Sequence, residues 1–210
     1  AFELEQAVLN HKNFDFIIST SMIKVNSSKP NLIISPEVSI IDKFSIQAML
    51  KKELEMLKRK NFNKLLRIFF NESKFYNELI FMNSIDILNF MCDELEKRKI
   101  VGPDFISSVL EREELIPTSI SKGVALAHST NLNSNKTCVD LLVLKEPIVW
   151  GDYSVFIVIL FAISKKDIKY LNYFYSIISK LTSDSNSLQE IRKCQSLDQF
   201  ITVLYKVYNT

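Results

Sequence analysis

Apolar positions along this chain fall into two periods, and each predicts a different element. Gly123 to Ala127 (GVALA), Thr137 to Leu144 (TCVDLLVL) and Ser154 to Ile163 (SVFIVILFAI) are short runs bounded by polar or turn residues, the pattern of strands. The last run is apolar enough for a central strand covered on both faces, with Pro147 and Trp150-Gly151 punctuating the gap before it. FYNELIFM, Phe75 to Met82, predicts a further strand. Ser84 is placed to cap a helix whose stripe is Leu88, Met91, Cys92 and Leu95, and Gly102-Pro103 to stop it. Asp104 is placed to cap the next helix, with Phe105, Ile106, Val109 and Leu110 inward and Pro117 at its end. Ile168, Leu171, Tyr175, Ile178 and Leu181 line one face of a long helix. Ser187 with Glu190, and Ser196 with Gln199, read as capping boxes opening two short helices. Strands and helices interleave throughout, which predicts the α/β class, a mixed β-sheet flanked by helices on both faces.

The first fifty residues stand apart. Residues 2–11 fit a short helix, and Phe14 to Thr20 (FDFIIST) and Asn31 to Ser35 (NLIIS) are two apolar runs separated by a polar loop, strands of a kind usually buried on both faces. Pro36 closes the second run, and a helix-compatible stretch begins near Asp42. It continues through KKELEMLKRK, whose charge density marks an exposed face or a linker. The reading is an N-terminal partial parallel-sheet α/β fragment over residues 1–50, a charged helical linker over 51–61, and the main domain over 62–210. The alternative is a helical extension with two added strands that belong to the main domain; either way the segment is scaffold.

Composition narrows the function classes. Lys and Arg (26) nearly cancel Asp and Glu (24) over 210 residues, so the charge balance gives no reason to expect a nucleic-acid surface or an anionic membrane as partner. Val155 to Ile163 is far shorter than the ~20 residues that span a bilayer. The cysteines, Cys92, Cys138 and Cys194, are odd in number and each lies in an apolar pattern, which suits a reducing, cytoplasmic setting. With His11 and His128 far apart and no Cys pair at ligand spacing, a structural zinc site has no support. The chain lacks an N-terminal Met and a signal peptide, so a part upstream of Ala1 is expected.

Chemistry concentrates between Phe105 and His128. Arg112 and Glu113 end an amphipathic segment, Thr118 opens a polar turn, Gly123 lets the chain change direction, and a short apolar strand runs into His128. A free imidazole titrates near ~6.5, so one ring nitrogen is largely unprotonated at neutral pH and can attack phosphorus. Arg112 offers a permanently charged planar fork suited to phosphate oxygens, and the hydroxyls of Thr118 and Ser129 could donate. The plainer readings are a strand-end histidine bonded to backbone, an Arg112 paired on the surface with Glu113 or Glu114, and a Thr118 that caps a turn. His11, amid polar neighbours, reads as a surface residue.

The ordered set Arg112-Glu113, Thr118, Gly123 and His128 resembles the phosphorylation-site region of the mannitol/fructose-type enzyme IIA domains of the bacterial sugar phosphotransferase system (PTS). The likeness extends over residues 62–210, through PIVWGDYSV before a central strand and the helix carrying YLNYF. It implies the IIA mannitol-type fold, with His128 as phosphoryl acceptor, Arg112 beside it, Thr118, Ser129 and Tyr170 around the phosphoryl group, and no cofactor. Two residues depart from the family pattern: Ala127 replaces a proline before the histidine, and Tyr170 replaces a second histidine. Residues 1–50 resemble the C-terminal half of a IIB domain, without the half that would hold its cysteine nucleophile. This order resembles the C-terminal part of sugar-responsive transcription regulators and antiterminators. The resemblance implies a regulatory module phosphorylated by the phosphocarrier HPr or a PTS component, with upstream regulatory and DNA- or RNA-binding domains in the same polypeptide. If the chain is an enzyme it is a phosphotransferase, a IIA component relaying phosphoryl from HPr to a IIB cysteine in sugar uptake. A third reading is an unphosphorylated domain used only for packing.

Overall fold

A computed structural model of the chain describes residues 15–20, 29–121, 123–131 and 134–209. The expected helix over residues 2–11, and His11, lie outside the described residues. The chain divides into two compact units, residues 1–60 and 61–210.

In the first unit β1 (Ile17–Ser19) and β2 (Asn31–Ile33) pair in parallel, with Ile18 opposite Leu32. Both strands are shorter than their apolar runs. They are not buried on both faces as expected, since Ile18 is 39% and Ile33 50% exposed; two short strands have too little area to cover one another. Helix α1 (Ile40–Phe69) follows and opens on a capping box in which the Asp42 carboxylate accepts from the Ser39 N–H at 2.8 Å and the Asp42 N–H donates to Ser39 Oγ at 3.1 Å. It runs unbroken through the charged segment 51–61, a stretch rich in Lys, Glu, Leu and Arg without Gly or Pro.

The second unit is built on five strands in the order β3-β6-β7-β5-β4. These are β3 (Phe75–Leu79), β4 (Ser119–Ser121), β5 (Gly123–His128), β6 (Cys138–Trp150) and β7 (Tyr153–Ala162). β3 with β6 and β5 with β7 are parallel, whereas β6 with β7 and β4 with β5 are antiparallel, so the sheet is mixed. α2 (Ser84–Lys97) and α3 (Phe105–Leu115) cover one face. α4 (Leu171–Ser183), α5 (Ser185–Arg192), α6 (Leu197–Asn209) and the end of α1 cover the other. The period of two in β6 and β7 sends Leu141, Val143, Ile157, Ile159 and Phe161 to the second of these layers and Leu142, Leu144, Val158 and Leu160 to the first. Phe69 stacks on Phe174 at 4.2 Å between ring centres, locking the end of α1 against α4. The expected α/β architecture, with helices on both faces of a mixed sheet, is the observed one.

Several boundaries differ from the sequence reading, each for a local reason. Asn83, not Ser84, caps α2, its side-chain oxygen accepting from the Asp86 N–H. That helix ends at Lys97, well before Gly102-Pro103, because Lys99 takes a left-handed φ of 58° and the Ile100 N–H returns to the Leu95 carbonyl. Asp104 stands at the N-cap of α3 without a side-chain cap bond. Ile168 lies in a 3-10 turn, Lys165–Tyr170, ahead of α4, whose buried stripe is Phe174, Ile177, Ile178 and Leu181. Asp184 caps α5 in place of Ser187. β6 runs on through Pro147 to Trp150, with a register shift between Val143 and Ile148 absorbing the proline.

Candidate functional site

His128 is the last residue of β5, and its side chain shares a face with Val124 and Leu126, the face covered by α4 to α6. Across the ladder it is paired with Phe161, whose ring lies 5.5 Å from that of Tyr175. The imidazole is half-buried, with Nδ1 3.3 Å from the Leu126 carbonyl. A proton on Nδ1 donates to that carbonyl and leaves the Nε2 lone pair as the nucleophile. Burial pushes the imidazole pKa below its ordinary 6.5; the Leu126 bond and Glu113 oppose this, and the charge of Arg112 adds to it. The net direction favours the neutral ring.

Arg112 sits in the last turn of α3, and its guanidinium donates through Nη1 to the Ile116 carbonyl at 2.8 Å. Its charge reaches both His128 and Tyr175. No ion pair among the described residues involves it, so the surface pairing with Glu113 or Glu114 does not form. Glu113 is buried instead. Its Oε2 accepts the Thr118 N–H at 3.0 Å and the Thr118 hydroxyl at 2.6 Å, and its Oε1 accepts the Trp150 indole N–H at 2.6 Å.

The remaining expected residues are arranged as follows. Thr118 is buried, its hydroxyl proton held by Glu113 and its carbonyl accepting the Leu126 N–H at 2.9 Å. Ser129 follows His128 and donates its hydroxyl to the Asn131 carbonyl at 2.5 Å. Tyr170 packs against the core layer that holds Phe161, with the ammonium groups of Lys64 and Lys169 at 4.7 and 5.2 Å from its ring centre. Those cations are its bonded and charged neighbours among the described residues, and they lower its phenol pKa, Lys64 most. Sequence reasoning did not assign roles to Glu113, Trp150 and Tyr175. Only the Arg-Glu adjacency hinted at the first, and no local pattern carries the other two. Among the described residues no group of three or more His, Cys, Asp or Glu is placed to hold a metal ion. Nor is any described helix long and apolar enough to cross a membrane.

Comparison with known proteins shows the family and the fold. A Bacillus subtilis (strain 168) protein named "Probable licABCH operon regulator" is 25% identical over 202 residues, 96% of this chain and 30% of that protein. The "Transcriptional regulator ManR" of the same strain is 22% identical over 207 residues, 96% of this chain and 31% of its own length. The chain thus spans about a third of the curated relatives it matches. The crystal structure of IIA mannitol from Escherichia coli superposes with a TM-score of 0.54 at 19% identity, covering 62% of this chain and 94% of that one, which shows the fold. Residues 68–207, with every strand of the five-stranded sheet and the His128 site inside them, match the model of the phosphoenolpyruvate-dependent sugar phosphotransferase system EIIA 2 family, and the chain belongs to that family.

Proposed function

We propose that this chain is the phosphoryl-accepting regulatory module of a sugar-responsive transcriptional regulator, phosphorylated on His128 by HPr or another PTS component. The observation that carries the reading is the His128 ring, held by Leu126 through Nδ1 so that Nε2 is the free nucleophile, with Arg112 near enough to influence its titration. In transfer from a phosphohistidine donor, the donor's P–N bond breaks as a new P–N bond forms at Nε2. The donor ring recovers its lone pair, and the acceptor's proton stays on Nδ1, donated to the Leu126 carbonyl. The loose transition state carries its charge on three oxygens, which Arg112 is suited to neutralise. Ser129 joins the phosphoryl pocket by rotating its hydroxyl away from Asn131. Thr118 contributes through Glu113 and the strand end, its own proton being committed. Tyr170, its ring flanked by the ammonium groups of Lys64 and Lys169, is the further donor proposed for the phosphoryl group.

The regulator half of the proposal draws on the two relatives aligned over nearly the whole chain, both named as regulators. In that setting residues 1–50, where β1 and β2 pair in parallel, are the tail of a IIB-like domain ahead of the main domain at 62–210. The partners are HPr, a IIB domain and upstream regulatory and DNA- or RNA-binding domains of the same polypeptide. The compartment is the cytoplasm, and this part makes no nucleic-acid contact of its own. A relay to a IIB cysteine in sugar uptake is the second reading, favoured by the fold shared with IIA mannitol.

Incubation with phosphoenolpyruvate, enzyme I and HPr tests the site. Intact mass should show one acid-labile phosphoryl group on the native chain and none on His128→Ala; an unlabelled native chain would defeat the proposal. Adding a purified IIB domain separates the readings: retained label marks a sensor and rapid loss to its cysteine a relay, and Tyr170→His should hasten that loss.

A further inference from the structure

A buried carboxylate is costly unless its oxygens are filled, and Glu113 fills both with donors from two separate parts of the chain. Two come from Thr118 at the start of the turn into β4, and the third is the indole of Trp150 at the tip of the β6–β7 hairpin. A second observation places that tip against the same turn. Gly151, at φ +57°, approaches so closely that an added Cβ would lie 2.8 Å from Pro117 Cβ and 3.2 Å from Ser119 Oγ. The hairpin tip is therefore clamped over residues 117–119.

What the clamp holds is the acceptor. Arg112 precedes Glu113 and is tied to the carbonyl of Ile116, the residue immediately before the clamped segment. The Thr118 carbonyl accepts the Leu126 N–H at 2.9 Å, and the Leu126 carbonyl in turn faces His128 Nδ1 at 3.3 Å. A continuous series of hydrogen bonds thus runs from Trp150 through Glu113, Thr118 and the Leu126 peptide to the imidazole. The guanidinium and the ring that must meet around one phosphoryl group are both referenced to the Glu113 carboxylate. Packing alone would be served by an apolar side chain at position 113; a carboxylate with three directional donors fixes orientation as well.

We propose that Glu113, oriented by Trp150, is a positioning residue for phosphoryl transfer to His128, setting the imidazole and Arg112 in register without touching the phosphoryl group. This rests on the reading of His128 as acceptor. Phospho-HPr is the donor probe, with the whole chain as acceptor and rates measured by quenched flow over a range of HPr concentrations. Glu113→Gln turns one acceptor oxygen into an NH2 group that faces a donor. It should lower the maximal rate of His128 phosphorylation by roughly ten- to a hundredfold, the scale of a small misplacement at a reacting centre. The HPr concentration at half-maximal rate should stay within about twofold, since the docking surface is unchanged. Trp150→Phe, which removes one donor and leaves the two from Thr118, should show the same split in smaller measure. If Glu113→Gln does not fold, Thr118→Val replaces it, removing the hydroxyl while keeping the N–H bond to Glu113. Folded variants phosphorylated at the native maximal rate, or slowed only through weaker HPr binding, would overturn the proposal. A native chain that takes no label would instead overturn the acceptor reading on which it rests.

Discussion

Replacing Arg98 with Met should be among the most damaging single changes in the second unit, although Arg98 lies outside the His128 site. The Asp140 carboxylate on β6 is fully buried and accepts from the Arg98 guanidinium, from the Lys74 N–H at 2.8 Å and from the Cys138 thiol at 3.3 Å. Arg98 also donates to the Glu94 carbonyl at 3.0 Å and the Glu72 carbonyl at 2.5 Å. It therefore ties the end of α2 to the turn after α1 and to the first residues of β6. Met fills similar space and removes all of these donors, leaving a buried carboxylate without its counter-charge. Breaking such a pair from one side costs about 3–5 kcal/mol. For a unit of this size each kcal/mol moves the thermal midpoint by about 2–4 °C, so the fall is roughly 6–20 °C.

The loss has a pH signature. Burial pushes the Asp140 carboxyl above its ordinary 3.8 while Lys74 and Arg98 pull it back, so without Arg98 it rises further. An acid whose folded pKa exceeds its unfolded one is held more tightly as the protonated form in the folded state. The variant's deficit relative to the native chain therefore grows as pH rises from the native folded value through the variant's higher one and is complete above it. Urea and thermal unfolding at about pH 5 and pH 7.5 should place the larger deficit at the higher pH. The double variant Arg98→Met with Asp140→Asn removes both charges and should recover most of the loss, to within about 2 kcal/mol of the native chain. A single variant within 1 kcal/mol of native, or a double no better than the single, would refute the reasoning.

Further outcomes follow from the same structure. His128, its pKa lowered first by burial, should titrate below 6.5 in an NMR pH series, and Arg112→Ala should move it upward. In sign, the folded state binds this proton more weakly than the unfolded chain, so stability is lost as pH falls through 6.5 towards the lowered value; a midpoint at or above 6.5 would contradict this. Lys99→Gly should raise stability by about 1 kcal/mol in urea unfolding, because an exposed side chain is held at a left-handed φ of 58° at a helix end that glycine fills without strain. Tyr76→Phe should be neutral or stabilising by about 1 kcal/mol, since the Tyr76 hydroxyl is buried without a hydrogen-bond partner among the described residues; a clear loss of stability would contradict this.

The core strands were legible because their signal is local. Val155 to Ile163 is apolar at every position, and only a strand covered on both faces tolerates that, which is how β7 sits between β6 and β5. The stop of α2 was misjudged because Gly and Pro are strong cues, whereas the real stop is a lysine in a conformation that lysine does not advertise. β4 passed as a turn because its three residues, Ser119 to Ser121, gain strand character only by pairing with β5.

The site divides in the same way. His128 and Arg112 were singled out because they fall in the ordered set Arg112-Glu113, Thr118, Gly123 and His128 that resembles the IIA phosphorylation region. Glu113 was seen as half of the Arg-Glu pair, with a surface pairing to Arg112 only as the plainer alternative, and nothing within several residues of it could give it a role of its own. Its decisive contact is Trp150, 37 positions away in the chain, delivered by a hairpin whose tip must meet the turn at Pro117. That meeting depends on the register of β6 against β7, which depends in turn on absorbing Pro147 in an irregular stretch. A one-residue slip there would send the indole to the opposite face of the sheet, away from Glu113, leaving both strand patterns as apolar as before. Hydrophobic periodicity could therefore predict the sheet and miss the clamp. In the proposed reading, the parts of this site that sequence could name carry the chemistry, and the parts it could not name set their alignment.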